Sequence, residues 1–185
     1  MEKTTKQFNA VIDNCREIFV KKTKDYGTAW RILRTSSLTD QIFIKANRIR
    51  SIEDKGIQKI EEDIQDEFIA IVNYSVMALI QLELGAVSGN DNLQLDTDKV
   101  VDLYEKYIFG ARDLMLNKNH DYGEAWRDMR ISSLTDIILM KLLRLKQIED
   151  NKGETLISEG PEGSYNDMIN YAIFALIKMG EENQK

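Results

Sequence analysis

Apolar residues recur at helical spacing in six stretches of this chain, and no stretch keeps the period of two that marks a half-buried strand. Phe8, Val11, Ile12, Cys15, Ile18 and Phe19 predict a first helix, capped at Thr4 or Thr5 and running to about Lys22. Leu38, Ile42, Ile49 and Ile52 predict a second, from a cap at Ser36 or Ser37 to about Asp54, with Gly56 ending it. A third should cover roughly Gln58 to Leu84, carrying Ile60, Ile64, Phe68, Ile71 and Val72. Polar and small residues then dominate, including Ser88, Gly89, Asn90, Asp91 and Asn92, and residues 86–96 read as a linker. Beyond it, Thr97 can cap a fourth helix that buries Tyr104, Tyr107, Ile108, Ala111, Leu114 and Met115. A fifth helix is expected from about Ser132 to Asp150. The run from Ser158 to Gly163, with Pro161 inside it, delays the sixth to about Ser164. The expected fold is all-α.

The fourth to sixth helices repeat the first three. Asp25-Tyr26-Gly27-Thr28-Ala29-Trp30-Arg31 returns 96 positions later as Asp121-Tyr122-Gly123-Glu124-Ala125-Trp126-Arg127. From Asp25 to Lys55 against Asp121 to Asn151, 18 of 31 aligned positions are identical. A period this long is a duplicated half-domain rather than a solenoid unit. The reading is a tandem duplication of a three-helix unit, residues 1–85 and 97–185, packed about a pseudo-two-fold axis as one compact domain. A chain holding both halves can act alone or pair as a homodimer.

Composition narrows the function classes. A net charge of -6 argues against nonspecific nucleic-acid binding, which calls for a basic face, yet leaves room for a local cation cluster that holds a nucleotide. The single cysteine, Cys15, excludes an intramolecular disulfide and a multi-cysteine zinc site. Neither a signal peptide nor an apolar run long enough to span a bilayer is read, so a cytoplasmic protein with no membrane partner is expected.

Lys45 is the anomaly in the pattern. It lies seven positions after Leu38 and seven before Ile52, on the stripe that should be buried, and Lys141 repeats this between Leu134 and Ile148. Arg48 and Arg144 follow one turn later. Such a cation either reaches a helix edge, closes a structural ion pair, or joins the arginine as a phosphate site. On the third helix Glu62, Asp66 and Asn73 share one stripe, so the two acids are either a solvated helix end or a Mg²⁺ site. Aligning Asn170-Tyr171 with Asn73-Tyr74 puts Glu159 opposite Glu62 and Asp167 opposite Ala70. Asp167 also stands three residues after Ser164, where a capping box would put an acid. Asp25 and Asp121 can cap their turns, and Tyr26, Trp30, Tyr122 and Trp126 can stack on a base or plug the core.

The order D-Y-G-x-A-W-R, K-x-x-R on a helix, and an acid-rich helix ending in Asn-Tyr resembles the family called nucleotide modification associated domain 1, once per half. More distantly it is similar to the all-α nucleoside triphosphate pyrophosphohydrolases of the MazG-like and dimeric dUTPase-like group. The resemblance implies Mg²⁺ or Mn²⁺ on Glu62 and Asp66, with Glu159 and Asp167 as further metal ligands and Lys45, Arg48, Lys141 and Arg144 on phosphates. It implies hydrolysis of (deoxy)nucleoside triphosphates to monophosphate and pyrophosphate, Glu62 and Asp66 being catalytic. The paired glutamates those enzymes carry on an earlier helix have no equivalent before either Asp-Tyr-Gly, where Asp40 and Asp136 follow instead. A noncatalytic nucleotide-binding module and a structural helical scaffold are the alternatives.

Overall fold

A computed structural model describes residues 2–57, 63–89 and 93–183. Among these, the regular structure is helical throughout: α1 (Glu2–Tyr26), α2 (Thr35–Lys55), α3 (Ile64–Leu84), α4 (Thr97–Tyr122), α5 (Ile131–Asp150) and α6 (Pro161–Glu182). A 3₁₀ turn follows each Asp-Tyr-Gly, over Ala29–Ile32 and Ala125–Asp128. The fold is all-α, as the periodicity predicts.

The helix ends correct the sequence reading in several places. Asp25 and Tyr26 belong to α1 rather than to a turn after it, because the backbone first leaves the helix at Gly27, with φ at +67°. Helix α1 begins at Glu2, so Thr4 is a buried residue inside it and donates to Glu124 instead of capping. Arg34 occupies the N-cap position of α2, and neither Ser36 nor Ser37 caps it. Thr97 is the first residue of α4, after Asp96. Pro161 opens α6 after Gly160, where its missing N–H costs nothing. Ser164 therefore lies within the helix, Asp167 falls in its second turn, and the capping-box reading of Asp167 fails. Residues 58–62, assigned above to the third helix, lie outside the described residues.

Packing follows the duplication. Each helix touches its own counterpart, α1 with α4, α2 with α5 and α3 with α6. The remaining main contacts come in related sets: α2·α3 with α5·α6, α1·α6 with α3·α4, and α1·α3 with α4·α6. Polar contacts obey the same rule. Arg50 meets Asp136 at 2.9 Å as Lys146 meets Asp40 at 2.7 Å, and Thr135 donates to Glu53 at 3.0 Å as Thr39 does to Glu149 at 2.7 Å. Asp40 and Asp136 are thereby engaged in ion pairs between α2 and α5. Only an axis relating the halves produces such paired contacts, and the buried apolar residues of all six helices form one core cluster.

Helix α3 is apolar on nearly every side, with a mean hydropathy of 1.4 over its best window, because it is the most enclosed element of the first half. It is long and apolar enough to cross a membrane by composition, contrary to the sequence reading, but 67% of that window is buried within the protein.

The interhelical segment docks on the first turn. Thr28 donates through its hydroxyl to the Leu93 carbonyl at 2.8 Å and through its backbone N–H to Gln94 Oε1 at 2.9 Å. A Cβ at Gly27 would run into the Gln94 side chain, whereas Gly123 faces open space.

Candidate nucleotide clefts

Each Asp-Tyr-Gly turn borders a cleft between the end of one long helix and the start of another. The first, of about 360 Å³, is walled by Tyr26, Trp30 and Tyr74 and carries Lys22, Lys45, Asp66 and Glu67. The second, of about 390 Å³, is walled by Tyr122, Trp126, Tyr171 and Phe174 and carries Lys118 and Asp167. The linings correspond residue by residue: Lys22 with Lys118, Tyr26 with Tyr122, Trp30 with Trp126, Ala70 with Asp167, Tyr74 with Tyr171. The indoles are buried, while Tyr26 and Tyr122 are exposed, by 58% and 79%, and Tyr74 and Tyr171 are half-buried. Trp126 stacks on Phe174 at 4.2 Å between ring centres. The tryptophans therefore plug the core, and the tyrosines stand where a ring could stack. The Tyr26 phenol titrates above its ordinary value, chiefly through partial burial and next through its neighbour Tyr74.

The charges of the two clefts are arranged differently. In the first half Glu67, 1% exposed, receives Arg48 on Oε1 and stands 3.2 Å from Lys45 Nζ through Oε2. The Lys45 anomaly is thus an ion pair to a buried carboxylate. A bare buried carboxylate would be prohibitive, and two cations reaching in from α2 offset that cost. Glu67 was missed in the sequence, although its position one turn before Ile71 on an apolar helix marks it. Asp66, on the next face, is exposed, and its side chain makes no ion pair or hydrogen bond among the described residues, nor does that of Lys22. Glu62 lies outside the described residues.

In the second half Ser164 stands where Glu67 would, and the acid moves to Asp167. Its Oδ1 accepts from Lys118 at 2.8 Å and its Oδ2 from Lys141. Burial raises the Asp167 carboxyl, but the hydrogen bonds and charges of both lysines outweigh it and hold it below its ordinary value of 3.8. Burial likewise lowers the Lys118 ammonium, and Asp167 outweighs that, raising it. Both carboxylate oxygens being taken by ammonium groups, Asp167 does not serve as the free metal ligand expected of it. Glu159, in the segment before α6, lies against Gly163 and borders a separate hollow with Lys141 and Arg144. Among the described residues no group of three acid, histidine or cysteine side chains could hold a metal. Arg144 is exposed and outside the second cleft. Asp25 and Asp121 are exposed and face neither cleft, Asp121 pairing with His120 at 3.1 Å.

The model of one family, described as nucleotide modification associated domain 1, matches the chain twice, over residues 22–82 and 118–179. The chain belongs to this family. No curated protein and no solved structure matches it. The two nucleotide modification associated domain 1 segments open at Lys22 and Lys118 and close after Met77 and Phe174, so each encloses nearly all of one cleft lining. Most of α1, most of α4 and the linker fall outside them.

Asn73 and Asn170, the asparagines of the Asn-Tyr pairs, serve the scaffold behind the clefts. Asn73 Nδ2 donates to the Cys15 carbonyl at 3.2 Å, and Asn170 Nδ2 to the equivalent Ala111 carbonyl at 3.0 Å. They tie α3 to α1 and α6 to α4 through carbonyls inside helices, which side-chain pattern alone does not reveal.

Proposed function

We propose that this protein binds a nucleotide in the first cleft. The observation that carries the reading is the meeting, in one cavity of about 360 Å³, of exposed aromatic faces with a lysine and an aspartate whose side chains have no partners among the described residues. A volume of this size suits a small-molecule site. Tyr26 and Tyr74 would stack on the base, and Lys22 would meet the phosphates as a point charge. Lys45, held by Glu67, sets the local field rather than gripping a phosphate alone.

A second reading, metal-dependent hydrolysis to monophosphate and pyrophosphate, is favoured by Asp66. Mg²⁺ at nucleotide sites takes one or two carboxylates and completes its shell with phosphate oxygens and water. Asp66 is a hard oxygen donor on the cleft wall, whereas both oxygens of Glu67 already face cations, Arg48 and Lys45. Asp66 alone would therefore hold the ion, with phosphate oxygens and water completing its shell. Bound there, Mg²⁺ would neutralise phosphate charge and acidify an attacking water. Lys22 would orient the phosphates, and Tyr26 with Tyr74 would keep the base fixed against them.

Incubation with Mg²⁺ or Mn²⁺ and a panel of ribo- and deoxynucleoside triphosphates tests both readings, with thermal denaturation for binding and chromatography for products. At least one nucleotide should raise the melting temperature, and Lys22→Met should reduce that rise. Release of pyrophosphate, lost in Asp66→Asn with unchanged melting, would establish hydrolysis. No stabilisation by any nucleotide would overturn the binding reading.

A further inference from the structure

The two clefts share a scaffold and differ in one telling substitution. Where the first has Ala70 on its wall, the second has Asp167, and that carboxylate lies between the two lysines corresponding to Lys22 and Lys45. Each of its oxygens meets one ammonium, the arrangement in which a phosphate oxygen pair would bind two lysines. Ser164 replaces Glu67 in this half, so among the described residues no other acid is ion-paired to Lys118 or Lys141.

We propose that the second cleft is a latent anion site, closed by Asp167 acting as its built-in occupant, and that removing this carboxylate opens it to a phosphate-bearing ligand. Lys118 stands on the cleft wall and Lys141 borders the adjoining hollow, with Asp167 bridging the two, so both ammonium groups already converge on the position its carboxylate fills. Ala70 shows that the repeat accepts alanine at this position. With Asp167 gone, Lys118 and Lys141 lose their ion-pair partner and face only the more distant charge of Glu159, whereas in the first cleft Glu67 still holds Lys45 directly. The ligand class is a di- or triphosphate without need of a metal, because the two ammonium groups supply the neutralising charge.

Calorimetric titration with inorganic pyrophosphate, without divalent metal and at low ionic strength, counts the sites. The wild type should bind one pyrophosphate per chain, a count that rests on the nucleotide reading of the first cleft. Asp167→Ala should bind one more, and adding Lys118→Met with Lys141→Met should remove that extra site. Asp167→Asn, which removes the charge but leaves an amide of the same volume between the lysines, should give a smaller gain, and circular dichroism confirms that each variant is folded. Two sites in the wild type, or no gain in either folded Asp167 variant, would overturn the proposal. A wild type that binds none would count against the first-cleft reading alone. A rise from none to one in Asp167→Ala would then still uphold the latent site.

Discussion

Phe8→Tyr should stabilise this protein, an uncommon expectation for adding a hydroxyl to a core. Phe8 corresponds to Tyr104 in the duplication, and both side chains are fully buried. The Tyr104 hydroxyl donates to Asn73 Oδ1 at 2.7 Å. In the other half, Asn170 Oδ1 is buried and without a hydrogen-bond partner, because a phenyl ring stands where the phenol would be. A hydroxyl on Phe8 gives that oxygen its donor. A typical intramolecular hydrogen bond is worth about 0.5–1.5 kcal/mol net, and curing an unpaired buried acceptor puts the gain at the upper end of that range. For a chain of this size, 1 kcal/mol moves the melting temperature by roughly 2–4 °C. The reverse change, Tyr104→Phe, strands Asn73 Oδ1 and should cost about 1–3 kcal/mol. Thermal and urea denaturation of both variants, with Asn170→Ala added to Phe8→Tyr, separates the hydrogen bond from packing. The gain must vanish without Asn170. A Phe8→Tyr protein that is folded but less stable than the wild type would show that the two halves do not share this geometry, and would refute the reasoning.

Two further outcomes follow from the buried charges. Glu67→Gln should leave Lys45 and Arg48 crowded around a neutral amide and cost on the order of 2–3 kcal/mol in chemical denaturation, less than for a fully enclosed pair because both cations keep some solvent. Restoration of stability by Lys45→Met in that background would tie the loss to the stranded charge. The Asp167 carboxyl is depressed in the folded chain, so its contribution is fully present above its ordinary value of 3.8 and is lost as pH falls through the lower folded value. Stability measured against pH should therefore drop in that acid window for the wild type and drop less for Asp167→Asn.

Helix existence and type were legible in the sequence because the apolar spacing is local: a stripe every three to four residues must face something apolar whatever that is. The repeat was legible too, and with it a pseudo-two-fold relation of the halves, while which helices meet across the axis came only from the tertiary structure. Lys45 and Lys141 also betrayed themselves, as charges on stripes that had to be buried. Tertiary structure alone decided what those charges meet. Lys45 finds Glu67 and Lys141 finds Asp167, acids at different positions in the two copies, and a linear pattern carries no record of which helix face lies opposite. It also separated the tryptophans, which fill the core, from the tyrosines, which border the clefts, although all four share one motif. The starts of α2 and α6 were misread on local signals: the capping preference of Ser36 or Ser37 is weak, and Pro161, taken as a helix breaker, sits at the first helical position, where its missing N–H costs nothing. Periodicity is written into neighbours along the chain, whereas charge neutralisation depends on neighbours across it.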